Sequence, residues 1–177
     1  LTVYIYRIII LIDDDLIPLQ YMAKSTCIIP FYNEQGKVTN VINTVLKSKF
    51  INEVIAINDA STDSSLKEVQ QIKNKRLLII NKRKREGKAK AISQGFYKAK
   101  NEIILLLDAD ILGLQENHIQ KLIDPLIQDN YDTVVNDRHP NPNDLLQGYT
   151  SGERTFKKSY FQEFFDAIKD DDGIGYA

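Results

Sequence analysis

Ile103-Ile104-Leu105-Leu106-Leu107-Asp108-Ala109-Asp110 sets five apolar side chains in a row and then two carboxylates. A strand with one wet face would alternate apolar and polar residues. An unbroken apolar run is what a strand buried on both faces requires, as in a parallel sheet covered by helices. Two carboxylates at the end of such a strand face a serious desolvation cost if they are buried without partners. A divalent cation would resolve it, since oxygen ligands at this spacing can share an ion with a diphosphate. The bland alternatives are two solvated loop acids, or one acid capping the helix that follows.

The neighbouring segments fit the same architecture. Thr26 to Pro30 reads as a buried strand ended by its proline, and Val54 to Ile57 and Leu77 to Ile80 as two more. Val38, Val41, Ile42, Val45 and Leu46 form one helical stripe, and Ala89, Ile92, Phe96 and Ala99 another. Ser65 and Glu68 suggest a capping box for a helix running to about Lys73. Ile119, Leu122, Ile123, Leu126 and Ile127 repeat the stripe, with Pro125 expected to kink it. Thr133 to Val135 reads as a fifth strand, Asp137 to Pro142 as loop, and Phe156 to Ile168 as a helix. Strands and helices in alternation predict an α/β fold: parallel strands, right-handed crossovers and helices on both faces of the sheet.

At 177 residues the chain suits one domain with a real core. Its 23 Lys+Arg and 24 Asp+Glu leave a formal charge of -1, which gives no general attraction to nucleic acid. Cys27 is the single cysteine, so neither a disulfide framework nor a Cys-cluster zinc site can form. With only His118 and His139 as imidazoles, carboxylates are the expected metal ligands, favouring Mg²⁺ or Mn²⁺. Residues 1–21 precede Met22, the single methionine, and read as an upstream extension rather than native sequence. Their apolar run, Leu1 to Ile12, is too short to span a bilayer and lacks the charged face of an interfacial helix. The domain is therefore taken as residues 22–177, and Gly173 to Ala177 reads as a turn into further chain, a domain truncated at its C-terminal end.

Ligands of an open parallel sheet bind beyond the carboxyl ends of its strands. Those ends deliver Pro30-Phe31-Tyr32-Asn33-Glu34, Asn58-Asp59-Ala60-Ser61-Thr62-Asp63, Asn81 with the basic run Lys82 to Lys88, and Asp108-Ala109-Asp110. Asp59 comes directly off its strand, where it can accept hydrogen bonds from a ribose or a base N–H. Asp63 is equally suited to capping the next helix. The basic run is either a solvated face or a source of phosphate-binding cations, with Gly87 allowing close approach at a helix amino end. Cys27 reads as core, His118 as an exposed first-turn residue, and His139 as a weak candidate for substrate contact. No P-loop, G-x-G-x-x-G, G-x-S-x-G or H-E-x-x-H motif is present.

Ile28 to Glu34, Asn58 to Asp63, Gly87-Lys88-Ala89-Lys90-Ala91 and Asp108-Ala109-Asp110 resemble, in order and spacing, the motifs of family 2 glycosyltransferases. The similarity covers residues 25–128 well and extends toward Arg154. It implies a GT-A type fold, a Rossmann-like and mostly parallel sheet, that binds a nucleotide-diphosphate sugar and transfers the sugar with inversion. Carried across, Pro30, Tyr32 and Glu34 border the nucleotide, Asp59 contacts the base (usually uracil), and Lys88 lies near ribose and phosphates. Asp108 and Asp110 match the metal-associated D-x-D acids, with Asp110 the more direct ligand. Gly152-Glu153-Arg154 resembles a G-x-R segment that approaches acceptor or diphosphate in some members.

The resemblance implies a UDP-linked donor and an acceptor that is a glycan, a small molecule or a lipid phosphate. A hydroxyl acceptor needs a general base, for which Asp137, Asp144 and Glu153 are candidates, whereas a phosphate acceptor needs none. It also implies a cytoplasmic location, at the membrane face if further chain provides membrane association. The rival expectations are a nucleotidyltransferase, disfavoured because residues 30–36 hold only Gly36, and a remnant that binds nucleotide without catalysis.

Overall fold

The computed structural model describes residues 24–128, 131–135 and 152–168. Their elements run β1 (Ser25–Phe31), α1 (Val38–Lys47), β2 (Glu53–Asn58), α2 (Ser65–Gln70), β3 (Leu77–Asn81), α3 (Lys88–Lys98), β4 (Ile103–Leu106), α4 (Glu116–Gln128), β5 (Thr133–Val135), β6 (Arg154–Lys157) and α5 (Lys158–Ile168). The sheet order is β3-β2-β1-β4-β6-β5. β3, β2, β1 and β4 are parallel, while β6 runs antiparallel to both β4 and β5. The expected α/β sheet, mostly parallel and covered on both faces, is the one observed.

Uninterrupted apolar sequence puts a side chain into each of two cores. Cys27, Ile29, Val54, Ala56 and Leu105 pack beneath α1 and α4, against Val41, Ile42, Val45, Ile119 and Ile123. Ile28, Ile55, Ile57 and Ile104 point the other way, toward Ala91 and Phe96 of α3 and Phe165 of α5. α3 approaches β1 closely because Gly95 has no side chain: a Cβ there would lie 2.7 Å from Ile28 Cγ2. Burial pushes the Cys27 thiol pKa well up, so it serves as a core hydrophobe.

Several expected boundaries shift for identifiable reasons. Pro30 does not end β1, which continues to Phe31 in register with Asn58. Pro30 faces the same side as Ile28, whose carbonyl accepts from Leu107 N–H, and β4 stops beside Ile28. The missing N–H of Pro30 therefore falls where no strand is left to use it. The capping box at Ser65 does not form. Ser65 already lies inside α2, its N–H donates to Asp63 Oδ1 at 2.9 Å, and Glu68 instead accepts from Gly36 N–H at 2.8 Å. α2 ends at Gln70, short of Lys73. α4 continues through Pro125 to Gln128. The start of the last helix moves from Phe156 to Lys158, because Arg154–Lys157 pairs with the edge that β4 would otherwise leave open.

Candidate active site

The loops after β1 and β2 are clasped together by Asn33. Its Oδ1 accepts from Thr62 N–H at 2.8 Å, its Nδ2 donates to Thr62 Oγ1 at 3.2 Å, and its own N–H donates to Ser61 Oγ at 3.0 Å. Asn33 reaches this position with φ of 56°, a left-handed conformation that Asn tolerates better than most residues. Asp63 completes the clasp by accepting from Gln35 N–H at 3.1 Å as well as from Ser65. Burial would raise the Asp63 pKa slightly, but the Ser65 hydroxyl and N–H and the Gln35 N–H together hold it below the usual value. Asp63 is thus taken up by the loop clasp and by Ser65 at the start of α2, whose N-cap is Ser64, while Asp59 lines the cavity.

Asp59 is 4% exposed and sits where β2 ends. Its carboxylate accepts from Glu86 N–H at 3.0 Å and Gly87 N–H at 2.7 Å, and pairs with Lys82 Nζ at 2.7 Å. Burial pushes the Asp59 pKa up. The Lys82 hydrogen bond, the two backbone donors and the Lys82 charge outweigh it and bring the pKa below the ordinary range. The next residue, Ala60, has φ of 61°, which costs an alanine roughly 1 kcal/mol and turns the chain sharply away from the strand end. Within the basic run, then, Lys82 is the structural cation: its side chain is 6% exposed, against 81% for Lys84.

Lys88 opens α3 and reaches across to β4, where its Nζ lies 2.6 Å from Asp108 Oδ1. On the other side of Asp108 the chain returns at Gly152, where a Cβ would lie 2.4 Å from Asp108 Oδ2 and 2.6 Å from Oδ1. A glycine there is what lets the β6 approach fold directly over the carboxylate. Pro30, Tyr32, Glu34, Asp59, Lys88, Asp108 and Asp110 line one cavity of about 340 Å³, together with Arg85. Arg85 lies over the Tyr32 ring with its guanidinium carbon 4.1 Å from the centroid. Asn33, Lys82 and Arg85 are additions to the residues the sequence singled out individually. Asn33 had one legible signal, an Asn in a tight post-strand turn; nothing in the basic run says which cation turns inward.

The donor set suits a hard cation. Asp108 and Asp110 offer carboxylate oxygens at one wall, and Lys37 occupies Glu34 at 3.0 Å. Among the described residues no group of three or more His, Cys, Asp or Glu side chains could hold a metal by itself.

A second cavity, of about 760 Å³, shares Asp110 with the first. Glu153, 3% exposed, lines it with Leu107, Val134 and the loop after Asp110. Arg154 takes a different place. It lies on β6 opposite Leu106 and Val135 and lines neither cavity. The sheet pleat alternates, so adjacent residues of one strand leave opposite faces. Asp137, Asp144 and His139 fall outside the described residues. His118 is exposed in the first turn of α4 as expected, and it also lines the second cavity.

Comparison with known proteins fits this geometry. Over 93 residues the chain is 32% identical to poly-beta-1,6-N-acetyl-D-glucosamine synthase of Staphylococcus aureus strain MSSA476, a match covering 51% of this chain and 23% of that protein. The mannosyltransferase PcManGT from Pyrobaculum calidifontis, solved in complex with GDP-Man and Mn2+, superposes with a TM-score of 0.67 at 20% identity. That alignment covers 79% of this chain and 46% of the other. S. aureus TarS 1-349, solved in complex with UDP-GlcNAc, gives 0.65 at 20% identity, covering 80% and 47%. The chain thus spans about a quarter of the curated relative and about half of the solved structures. Its fold is the GT-A fold of these neighbours. The family described as Glycosyl transferase family 2 matches residues 26–175, and the chain belongs to that family.

Proposed function

We propose that this chain binds a nucleoside-diphosphate sugar, UDP-linked, in the cavity lined by Asp59 and Asp110, and that the sugar passes with inversion to an acceptor in the adjoining cavity. The observation that carries the reading is convergence: Asp59 from β2, Lys88 from α3 and Asp108 and Asp110 from β4 face one space. The nucleotide-sugar complexes of PcManGT and TarS support it by analogy of fold. The glycosyltransferase family favours this over the nucleotidyltransferase reading.

In this mechanism Asp59 accepts a base N–H, Tyr32 with Arg85 walls the nucleotide, and Lys88 moves its charge from Asp108 toward the phosphates. Asp108 and Asp110 would hold Mn²⁺ or Mg²⁺, which when bound supplies positive charge to stabilise the departing diphosphate. The acceptor attacks the anomeric carbon from the face opposite the leaving group. Glu153, buried and lining the cavity that shares Asp110, takes the proton from a hydroxyl acceptor, with Asp137 the alternative base. Arg154 keeps its proposed donor role only through a shift of the β6 approach. No helix among the described residues is long and apolar enough to cross a membrane. Action at the cytoplasmic membrane face on a glycan, small-molecule or lipid-phosphate acceptor belongs to the same proposal.

Titration calorimetry of UDP with and without Mn²⁺ tests the reading. Wild-type chain should bind far more tightly with the ion, and Asp110→Ala should abolish the difference. Equal affinity under both conditions in the wild type would remove the metal from the proposal.

A further inference from the structure

Charge is segregated between the two ends of the parallel strands. The connections leaving them, residues 32–37, 59–64, 82–87 and 107–115, hold five cations and six carboxylates. The entries are different. Lys24 precedes β1, Lys47 and Lys49 precede β2, Lys73 and Lys75 precede β3, and Lys98 and Lys100 precede β4; all seven are exposed. The carboxylates at these entries are Glu53, which is buried, and Glu102. Hydrogen bonds join the entries into one surface. Asn52 N–H donates to Ser25 O at 3.0 Å, Asn101 Nδ2 donates to the same carbonyl at 3.2 Å, and Arg76 Nη1 donates to Ser48 O at 3.2 Å. Lys100 reaches Glu53 at 3.6 Å, whereas the ammonium groups of Lys24, Lys47, Lys75 and Lys98 make no ion pair or hydrogen bond among the described residues. Helix dipoles account for part of the pattern, since α1, α2 and α3 end at this edge with roughly half a negative charge each. Lys47 and Lys98, in the last turns of α1 and α3, already offset that, and the other five lysines are surplus.

Such a surplus attracts a polyanion. The starts of the four adjacent strands span roughly 14 Å, under two Debye lengths at physiological salt, so the lysines act together. The carboxylates of the far edge lie roughly 20 Å away, a strand's length, where the same salt screens them. None of these lysines lines the donor cavity or the one beside it. Lysine is a hydrated point charge without the planar fork that reads individual phosphates, and a broad anionic surface suits it. Tyr160, 65% exposed in the first turn of α5, stands at the same edge, where Lys158 N–H donates to Glu102 O at 2.7 Å. An exposed tyrosine among lysines fits the boundary between a bilayer and water. We propose that the amino edge of the sheet docks on an anionic lipid membrane. The donor cavity, at the opposite edge, then stays open to water and to a soluble nucleotide sugar. This inference deepens the proposed action at the membrane face and rests on that reading.

The test is co-sedimentation of the whole chain with vesicles of phosphatidylcholine alone or mixed with phosphatidylglycerol. Binding to the mixed vesicles should be at least about tenfold tighter, and raising salt from about 0.1 to about 0.5 M should abolish it. Each lysine near an anionic surface contributes about fivefold, so the double change Lys73→Gln, Lys75→Gln should weaken binding about 25-fold. Arg83→Gln with Lys84→Gln removes the same charge from the carboxyl edge and should alter it less than about twofold. UDP–Mn²⁺ affinity should stay within about twofold in the Lys73, Lys75 variant, since neither residue touches the donor cavity. Equal binding to both vesicles, or undiminished binding of that variant, would overturn the inference. So would an equal loss in the Arg83, Lys84 variant, because net charge rather than this edge would then be responsible. Tighter binding to a short DNA duplex than to the mixed vesicles would reassign the surface to nucleic acid. Vesicle binding as expected in a chain that does not bind UDP–Mn²⁺ would support the docking edge and overturn the donor reading alone.

Discussion

Replacing Gly152 by alanine isolates the position of one carboxylate from the stability of the fold. The new Cβ would lie 2.4 Å from Asp108 Oδ2, 2.6 Å from Oδ1 and 2.7 Å from Cγ. Ordinary carbon contacts begin near 3.5 Å, so the carboxylate must retreat by about 1 Å. It can do so, because the Asp108 side chain is 23% exposed and Gly152 needs no left-handed backbone. The retreat breaks the 2.6 Å pair with Lys88, which is half exposed and therefore worth under about 1 kcal/mol. Stability should fall by no more than that, a few degrees in Tm. Donor binding should suffer more, since a misplacement of about 1 Å can cost on the order of 100-fold in function. Thermal unfolding without ligand and calorimetry with UDP and Mn²⁺ read the two effects separately. In an Asp108→Ala background the same glycine change should add almost nothing, because the group it displaces is gone. Unchanged UDP–Mn²⁺ affinity in Gly152→Ala would refute the reasoning, as would unfolding of the variant at room temperature.

Further outcomes follow from the acids at the two ends of the sheet. Asp59→Asn leaves the Lys82 ammonium with Glu86 alone and should cost about 3 kcal/mol at neutral pH. The Asp59 pKa is depressed on folding, so its stabilisation is complete above the ordinary value of 3.8 and disappears as pH falls through the lower folded value. Denaturation curves of wild type and Asp59→Asn should therefore converge only below about pH 4, and a gap that closes by pH 6 would contradict this account. Asp59→Ala should also weaken UDP binding more than Asp63→Ala, which loosens only the loop clasp; the opposite order would reassign the base contact. At the other end of the sheet, Glu53 accepts from Thr26 Oγ1 at 2.8 Å and from Lys100 N–H at 3.0 Å. Glu53→Ala should lower stability by about 2 kcal/mol and leave UDP affinity intact. A weaker UDP affinity in that variant would show the two ends of the sheet to be coupled.

The amino-acid order alone determined the parallel half of this protein. Uninterrupted runs at Cys27–Ile29, Val54–Ile57 and Ile103–Leu107 have no polar face to expose, and the stripes of α1 and α4 have only one. Burying both kinds of pattern leaves few arrangements besides a helix-covered sheet. Its carboxyl edge, with Asp59, Lys88, Asp108 and Asp110, could then be read off directly. Tertiary structure decided what local pattern does not encode. Arg154–Lys157 has no strand-like run, and pairing to the open edge of β4 makes it one. That pairing sends Glu153 to the second cavity, turns Arg154 away from both and lays Gly152 on Asp108. Among five cations between residues 82 and 88, only Lys82 lies within reach of Asp59, and burial there fixes it. Each outcome depends on partners distant in sequence. A pleat or an ion pair has a direction only once the strand or charge opposite it is in place.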